Sequence, residues 1–548
     1  MLLKTNYLAL VCGAVGALVG GCTGSAGPPQ QAETTLIYAQ PEDPKTLDPI
    51  NTDIAEAVHV LSNILDTLVT YHDEKTEIVP GLAEKWEHSE DGLTWTFHLR
   101  PGVTFHDGTP LTSDAVKISL DRLIVADHPL AFDKVRPYQS AYNMIDGVET
   151  PDGSTVVLKL KSPSAILLAN LAMFPASIVS PAALKKHGPA TSENPVGTGP
   201  FRFVKWSRDE RLITAAFDKH WRGRPKVDRL IFVPVKENAT RVQRLARGEI
   251  HLADSLSPVE LDELAKNPNL AVQEEPGMNV AYLAMQTEKP PLDQLAVRRA
   301  IYMAIDKQAL VKLGYAGHAR PAVSMVPPAM WGYYDGFEVP PFDPPAAKKL
   351  LEQTAKEAGL SLPLRLRLSV MNQARPYLPQ PAAIQAYLKD ALGQIGIDLA
   401  IDARDVNQHF DHLMAGRHEL GLAGWFSDNS DPDNFLHSLL DIDNIPGNNT
   451  SRYRSDRFHE LMIAGRKELD ETRRLAIYRE AQEMVAKDMP VVPLVHTNQR
   501  AAHVKRLVGY KLHPTGLVRL RHARFEAPGG SKELAASQEA TAQETARP

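Results

Sequence analysis

Pro80-Gly81-Leu82-Ala83-Glu84-Lys85-Trp86, followed by Gly92-Leu93-Thr94-Trp95-Thr96-Phe97-His98-Leu99-Arg100 and Phe105-His106-Asp107-Gly108, is the stretch from which the rest of the chain is read. Leu93, Trp95, Phe97 and Leu99 alternate with Thr94, Thr96, His98 and Arg100, the period of a half-buried strand. Asp91-Gly92 ahead of them is a tight-turn pair, so a hairpin is predicted here. After a second turn at Asp107-Gly108, Thr112 or Ser113 can cap a helix whose apolar residues Val116, Leu120 and Leu123 lie three or four apart. Further on, Asp152-Gly153 precedes a predicted strand Thr155–Leu160, and 292–311 reads as one helix burying Ile301, Ile305 and Leu310. Strands and capped helices keep alternating, which implies an α/β or α+β body. No repeat of 20–50 residues is visible, which sets solenoids and propellers aside.

The chain of 548 residues is too long for one core and, at roughly 100–200 residues per domain, implies three or four domain-sized units. Lys+Arg number 60 against 66 Asp+Glu, a net charge of −6 with no basic block suited to phosphates, so no nucleic-acid partner is expected. Hydrophobic residues at 43% and charged residues at 23% are ordinary globular values and imply a soluble body. The two cysteines, Cys12 and Cys22, both fall near the start, which leaves the rest without disulfides or thiolate metal sites.

Export explains that placement. Lys4 gives a small positive start, Tyr7 to Val19 an apolar run, and Val19-Gly20-Gly21 the small residues a signal peptidase needs before Cys22. The pattern resembles a bacterial lipobox, which implies a lipoprotein signal peptide over 1–21 and lipidation of Cys22. Acyl chains at roughly 0.8 kcal/mol per buried CH₂ would hold the body at a membrane. Residues 22–33, rich in Gly, Pro, Gln, Ser and Ala, read as a flexible leash, and 527–548, nearly devoid of large apolar residues, as a disordered tail.

A search for chemistry mostly returns absences. His418-Glu419 and His459-Glu460 lack the second histidine of a zincin, and no G-x-S-x-G, S-x-x-K or Walker A motif occurs. Gly197-Thr198-Gly199-Pro200 puts a proline where a phosphate loop needs an N–H donor. Asp431 and Asp433 could act as paired acids on a glycoside, but in a turn rich in Pro and Asn they read better as partners of backbone N–H groups. His409, His412 and His418 form the densest histidine cluster; spacing permits a metal or haem edge, and a solvated helix face is the expected reading. No metal, cofactor or enzymatic step is expected.

The opening stretch resembles the signature of the family 5 solute-binding proteins, which serve ABC importers of peptides, nickel chelates and related solutes. Further blocks agree in order: Asn194-Pro195-Val196-Gly197-Thr198-Gly199-Pro200-Phe201, Val297-Arg298-Arg299-Ala300, Pro327-Pro328, Gly424-Trp425, Asp428-Asn429 and Asp431-Pro432-Asp433-Asn434-Phe435. Arg375-Pro376-Tyr377 and the block from Gly424 onward look most like the dipeptide-binding proteins. The resemblance implies an α/β, two-lobed periplasmic-binding-protein fold with an extra subdomain in the first lobe, two hinge crossings, and ligand held between closing lobes. Mapped onto this chain, lobe I takes 34–279 and 496–526, its inserted subdomain about 72–185, and lobe II 280–495.

By the same resemblance Asp428 matches the aspartate that receives a peptide's amino terminus and Arg375 the arginine that takes a dipeptide's carboxylate. Trp425 and Tyr377 would wall the cleft, with Asn429 assisting. The chemistry suits these roles, since Asp accepts charge-assisted hydrogen bonds from an ammonium and Arg offers a planar fork to a carboxylate. Without the resemblance, Asp428 reads as an Asx-turn residue, Arg375 as a surface arginine and Trp425 as core. The loop from Asp43 to Pro49 departs from the Gly-Ser character of close dipeptide-binding relatives. The expected function is capture of short peptides by a monomeric, membrane-tethered receptor that presents them to an ABC permease and its ATPases. A nickel chelate, haem or a cationic peptide is the alternative ligand; an exported peptidase or glycosidase and a surface adhesin are the alternative classes.

Overall fold

The computed structural model describes residues 34–526; the expected signal peptide, Cys22, leash and tail lie outside the described residues. The opening hairpin forms as read. Ala83–His88 pairs antiparallel with Thr94–Leu99, whose Trp95, Phe97 and Leu99 are buried while the residues between them are half-buried. Thr155–Leu160 and Ile145–Asp152 complete a four-stranded sheet. Thr112 caps Ser113–Ile124, its hydroxyl accepting from the Ala115 N–H at 3.3 Å, and that helix buries Val116, Leu120 and Leu123 with Trp95 and Phe97 in one core.

Four of the remaining strands make two short two-stranded sheets, and the other twelve form one arrangement in two parts. In the first, Thr35–Gln40 runs parallel to Arg229–Pro234 and Leu252–Asp254, with Arg211–Ala216 and Phe201–Ser207 extending the edge antiparallel. In the second, Ile397–Arg404, Leu364–Met371, Leu420–Phe426 and Asn279–Met285 lie side by side. Asn279–Met285 is buried on both faces, Ala281 and Leu283 in one core and Val280 and Tyr282 in another. This continuous apolar strand is what a sheet covered on both sides requires.

The fourteen-residue strand Val491–Val504 belongs to both parts. Its first half pairs with Asn279–Met285, and its second with Leu270–Pro276 and Leu252–Asp254. The chain therefore crosses between the parts twice, side by side. Asn279, fully buried at the crossing, donates through Nδ2 to the Thr497 carbonyl at 2.8 Å and accepts from the Thr497 N–H and hydroxyl, both at 2.9 Å. His496 donates through Nδ1 to the Asn279 carbonyl at 2.7 Å. Gly277 is required beside this clamp: a Cβ there would stand 2.4 Å from Asn279 Nδ2 and 2.7 Å from the Thr497 carbonyl oxygen.

One expectation needs correction. The segment 292–311 is two helices, Leu295–Met303 and Lys307–Tyr315, because the Asp306 carboxylate caps a new start by accepting from the N–H groups of Gln308 and Ala309 at 2.9 and 3.1 Å. Ile301, Ile305 and Leu310 are buried as expected. No helix among the described residues is long and apolar enough to cross a membrane.

Replacing Asn279 by Ala strands buried donors of Thr497, and the expected loss is about 2–4 kcal/mol in urea unfolding. An unchanged unfolding midpoint would show that the clamp is dispensable.

Candidate functional site

Leu420–Phe426 is flanked by Asn279–Met285 and Leu364–Met371, so its C-terminal end is fixed on both sides. The turn that follows is anchored at once, Ser427 donating its N–H to the Met278 carbonyl at 2.9 Å. It is then built from local side-chain to backbone bonds. Ser427 Oγ accepts from the Ser430 N–H at 2.9 Å, Asn429 Oδ1 from Asp431 at 3.1 Å, and Asp431 Oδ1 from Asp433 at 3.0 Å. Such Asx and Ser turns allow a short loop to satisfy its own backbone while buried.

Asp428 sits half-buried in this turn. Its Oδ2 accepts from Asn434 Nδ2 at 3.1 Å, and its own N–H donates to Asn434 Oδ1 at 3.0 Å. The Trp425 indole N–H donates to the same Asn434 oxygen at 2.8 Å, so Asn434 ties Trp425 to Asp428. From a distant part of the chain the Tyr138 hydroxyl donates to Asp428 Oδ1 at 3.0 Å. Burial raises the Asp428 carboxyl above the usual carboxylate range, and the bonds from Asn434 and Tyr138 hold it back. Asn429 makes a parallel bridge, donating through Nδ2 to Asn170 Oδ1 at 2.7 Å, while Asn170 donates to the Ala141 carbonyl at 2.7 Å. Tyr138 is itself braced edge-to-face on Phe174, ring centroids 5.3 Å apart.

The expected site residues divide. Trp425, Asp428 and Asn429 are brought together in one hydrogen-bonded turn. Tyr377 is packed into the core, its ring against Gly424 and 5.7 Å from the Phe426 ring, and burial pushes its phenol up to about 12. Gly424 has to be glycine for that contact, since a Cβ would stand 2.2 Å from the Tyr377 ring. Arg375 stands in a tight turn in which Arg375 and Leu378 exchange backbone bonds of 3.0 and 2.8 Å. Its side chain is exposed and makes no hydrogen bond or ion pair with other described residues. Arg375 and Asp428 share no hydrogen bond.

Sequence reasoning passed over the site's Tyr138 and Asn170, which lie 290 and 259 residues from their partners and carry no local signal. Asn434, in the quoted block, could have been found from the bonding capacity of an Asn six residues after an Asp. The acid pair is structural. Asp431 forms a buried bidentate ion pair with Arg474 at 2.7 and 2.8 Å; burial works against the arginine's charge, and Asp431 outweighs it. Asp433 is pushed up to about 7 by burial.

The histidine cluster is corrected: His409, His412 and His418 are buried, not on a solvated face. His409 bonds Ser369 Oγ at 3.2 Å and the Leu422 carbonyl at 3.0 Å, and burial pushes it down to about 4. The Asp43 to Pro49 loop that lacks Gly-Ser character is held by acids: Asp43 accepts from the Trp206 indole at 3.0 Å, and Asp48 pairs with the buried Arg122.

Two sheets joined by paired crossings, with a buried acidic turn of one meeting polar side chains from the other side, define a two-lobed binding protein of mixed α/β fold. The comparisons agree. Residues 77–446 match the model of the bacterial extracellular solute-binding proteins, family 5, and the chain belongs to that family. Its relatives include the di/tripeptide-binding protein 1 of Pseudomonas aeruginosa, 32% identical over 90% of this chain and 94% of that protein. The heme-binding protein A of Haemophilus influenzae is 31% identical over 88% of this chain and 91% of that protein. Among solved structures, the dipeptide binding protein from Pseudoalteromonas sp. SM9913 in complex with Met-Leu superimposes with a TM-score of 0.76 at 27% identity, covering 90% of this chain and all of that one.

Replacing Arg474 by Ala leaves the Asp431 carboxylate buried without its partner, and the expected cost is about 3–5 kcal/mol in chemical denaturation. A loss below about 1 kcal/mol, the surface-pair range, would contradict the structural role given to Asp431.

Proposed function

We propose that the protein is the substrate-binding component of an ABC importer and that it captures short peptides, dipeptides foremost, between its lobes without a chemical step. The observation that carries this is the Asp428 carboxylate, half-buried and oriented by Asn434 and Tyr138; the exposed Arg375 is the cation proposed to complete the site. A zwitterionic peptide needs one anionic and one cationic partner. Water-excluding closure strengthens both pairings while leaving side-chain pockets free to stay roomy. The di/tripeptide-binding relative and the Met-Leu complex support this ligand class.

The lobe limits proposed are 34–279 with 496–526 for lobe I, the inserted subdomain near 72–185, and 280–495 for lobe II. The shared strand Val491–Val504 and the turn at Gly277 support them. Cys22 is proposed as the lipidated residue that anchors a monomeric receptor at the extracytoplasmic face, near its permease. A second reading, haem as the ligand, is favoured by the relative named for heme; haem binding by absorbance that survives Asp428→Ala would support it.

Calorimetric titration of protein stripped of co-purified ligand is the test. Asp428→Ala is expected to weaken dipeptide binding by about 1.5–3 kcal/mol, the loss of a charge-assisted bond with the ligand ammonium left unpaired. Arg375→Ala is expected to flatten the preference among di-, tri- and tetrapeptides. Unchanged titrations in both variants would overturn the site. The pH dependence follows from Asp428. Burial raises its carboxyl in the free protein and a bound ammonium favours the ionised form, so affinity is full above the free carboxyl's pKa and declines as pH falls through it. Because that pKa is raised, the decline begins at higher pH than for an ordinary aspartate, and Asp428→Asn abolishes it.

A further inference from the structure

A cavity of about 520 Å³ lies among elements that carry neither Asp428 nor Arg375. Its walls come from the end of the helix Ala55–Ile64, the strand Val69–Tyr71, the segment around Trp221 and the returning chain after Gly509. None of its lining residues belongs to the sheet that carries Asp428, or to the turn of Arg375. It shares no lining residue with the Asp428 turn, and of the groups that brace that turn Phe174, behind Tyr138, borders it.

Its lining is unbalanced in charge. Arg222, Lys511, Arg519, Arg521 and Arg524 face Asp66, Asp73 and Glu74, five cations against three anions. The acids are also partly committed. Asp66 accepts from the Thr198 hydroxyl at 2.8 Å and the Trp221 indole at 3.0 Å, and Asp73 holds Arg521 at 2.5 Å and His522 at 3.2 Å. Arg519 is fixed by the Tyr71 carbonyl at 2.8 Å and the Thr70 hydroxyl at 3.1 Å, while Arg222 lies 4.3 Å over the Trp221 ring and reaches the Pro80 carbonyl at 2.8 Å. Lys511 and Arg524 make no side-chain hydrogen bond or ion pair with other described residues. Desolvation, and after it the neighbouring charge of Arg521, pushes the Arg222 guanidinium down to about 10.

One wall group points to a ligand independently. His220, 5% exposed, bonds through Nδ1 to the Gly223 carbonyl at 3.1 Å, which makes Nε2 the lone-pair nitrogen of the neutral ring. That buried Nε2 has no hydrogen-bond partner; the nearest acid oxygen, on Asp66, is 4.0 Å away and is itself an acceptor. A ligand hydroxyl would satisfy it.

We propose that this cavity is a second ligand site, taking a compact dianion that also carries a hydroxyl, of the hydrogen phosphate or hydroxydicarboxylate class, and that it binds independently of the interlobe cleft. The guanidiniums of Arg222, Arg519 and Arg521 supply the oxyanion donors, Lys511 closes the charge balance at the rim, and His220 Nε2 accepts from the hydroxyl.

The test is calorimetric titration of the full chain with inorganic phosphate and with malate, ionic strength held constant with chloride. Saturable binding of at least one of them is expected, and which one binds names the oxyanion. Arg222→Gln is expected to weaken it about tenfold or more, the size of one charge-assisted hydrogen bond. Lys511→Gln, which removes no bond within the protein, is expected to weaken it severalfold without moving the thermal unfolding midpoint. Dipeptide titrations are expected to match wild type in both variants. Saturation by neither anion, or saturation untouched by both variants, would overturn the site; a parallel loss of dipeptide affinity would overturn its independence. Failure of peptides to bind at all would leave the anion result standing, so the two readings fail separately.

Discussion

The clamp between Asn279 and Thr497 is the constraint on which the two-lobed arrangement rests. Two strands must pass side by side from one sheet to the other, and at the point of passage neither sheet's regular ladder can satisfy every backbone group. One asparagine amide supplies a donor and an acceptor to the facing residue, and His496 returns a bond to the Asn279 carbonyl. Gly277 lets the first strand come close enough for this. A buried polar group is costly when unpaired and specifying when paired, so such a clamp fixes the register of both crossings at once. Everything downstream, including where Leu420–Phe426 ends, inherits that register, because Asn279 itself faces Phe426 in the neighbouring strand.

The acidic turn after Phe426 solves a different problem. A half-buried carboxylate has to be kept ionisable and aimed, and the surrounding residues divide that labour. Asp431 and Arg474 neutralise each other and hold the loop down, with Arg474 also bonded to Tyr478 and the Gly465 carbonyl. That leaves Asp428, three residues earlier in the same turn, with neutral donors only. Neutral donors orient a carboxylate without cancelling its charge, so its capacity to attract a cation is preserved.

Much of this was legible in the sequence, for identifiable reasons. The hairpin through Trp95 and Phe97 and the capped helix after Thr112 follow from short-range periodicity and turn chemistry, and the structure keeps both. The break at Asp306 was missed because apolar spacing runs through it, whereas the cap that starts the second helix is a side-chain bond that periodicity does not register. The buried histidines were misread for a related reason. His409 on Val406–Met414 looks solvated from composition, but its two nitrogens are consumed by Ser369 and the Leu422 carbonyl from other strands. In the candidate site, Asp428 and Trp425 were readable as a motif, while Tyr138 and Asn170 arrive only through tertiary folding.

The Tyr138 hydroxyl on Asp428 bears on how a ligand would be received. A carboxylate offers about four lone-pair positions, and the bonds from Asn434 and Tyr138 engage one on each oxygen. An ammonium can therefore be added without first removing either donor, which keeps the desolvation already incurred by the carboxylate from being repeated on binding. Tyr138 and Asn170 reach the turn from segments 290 and 259 residues away in the chain, so the contacts that tie these distant segments together and those that orient the acid are partly the same. If Asp428 is the binding group, as proposed, a ligand that prefers an aimed carboxylate would favour the form in which these contacts are made.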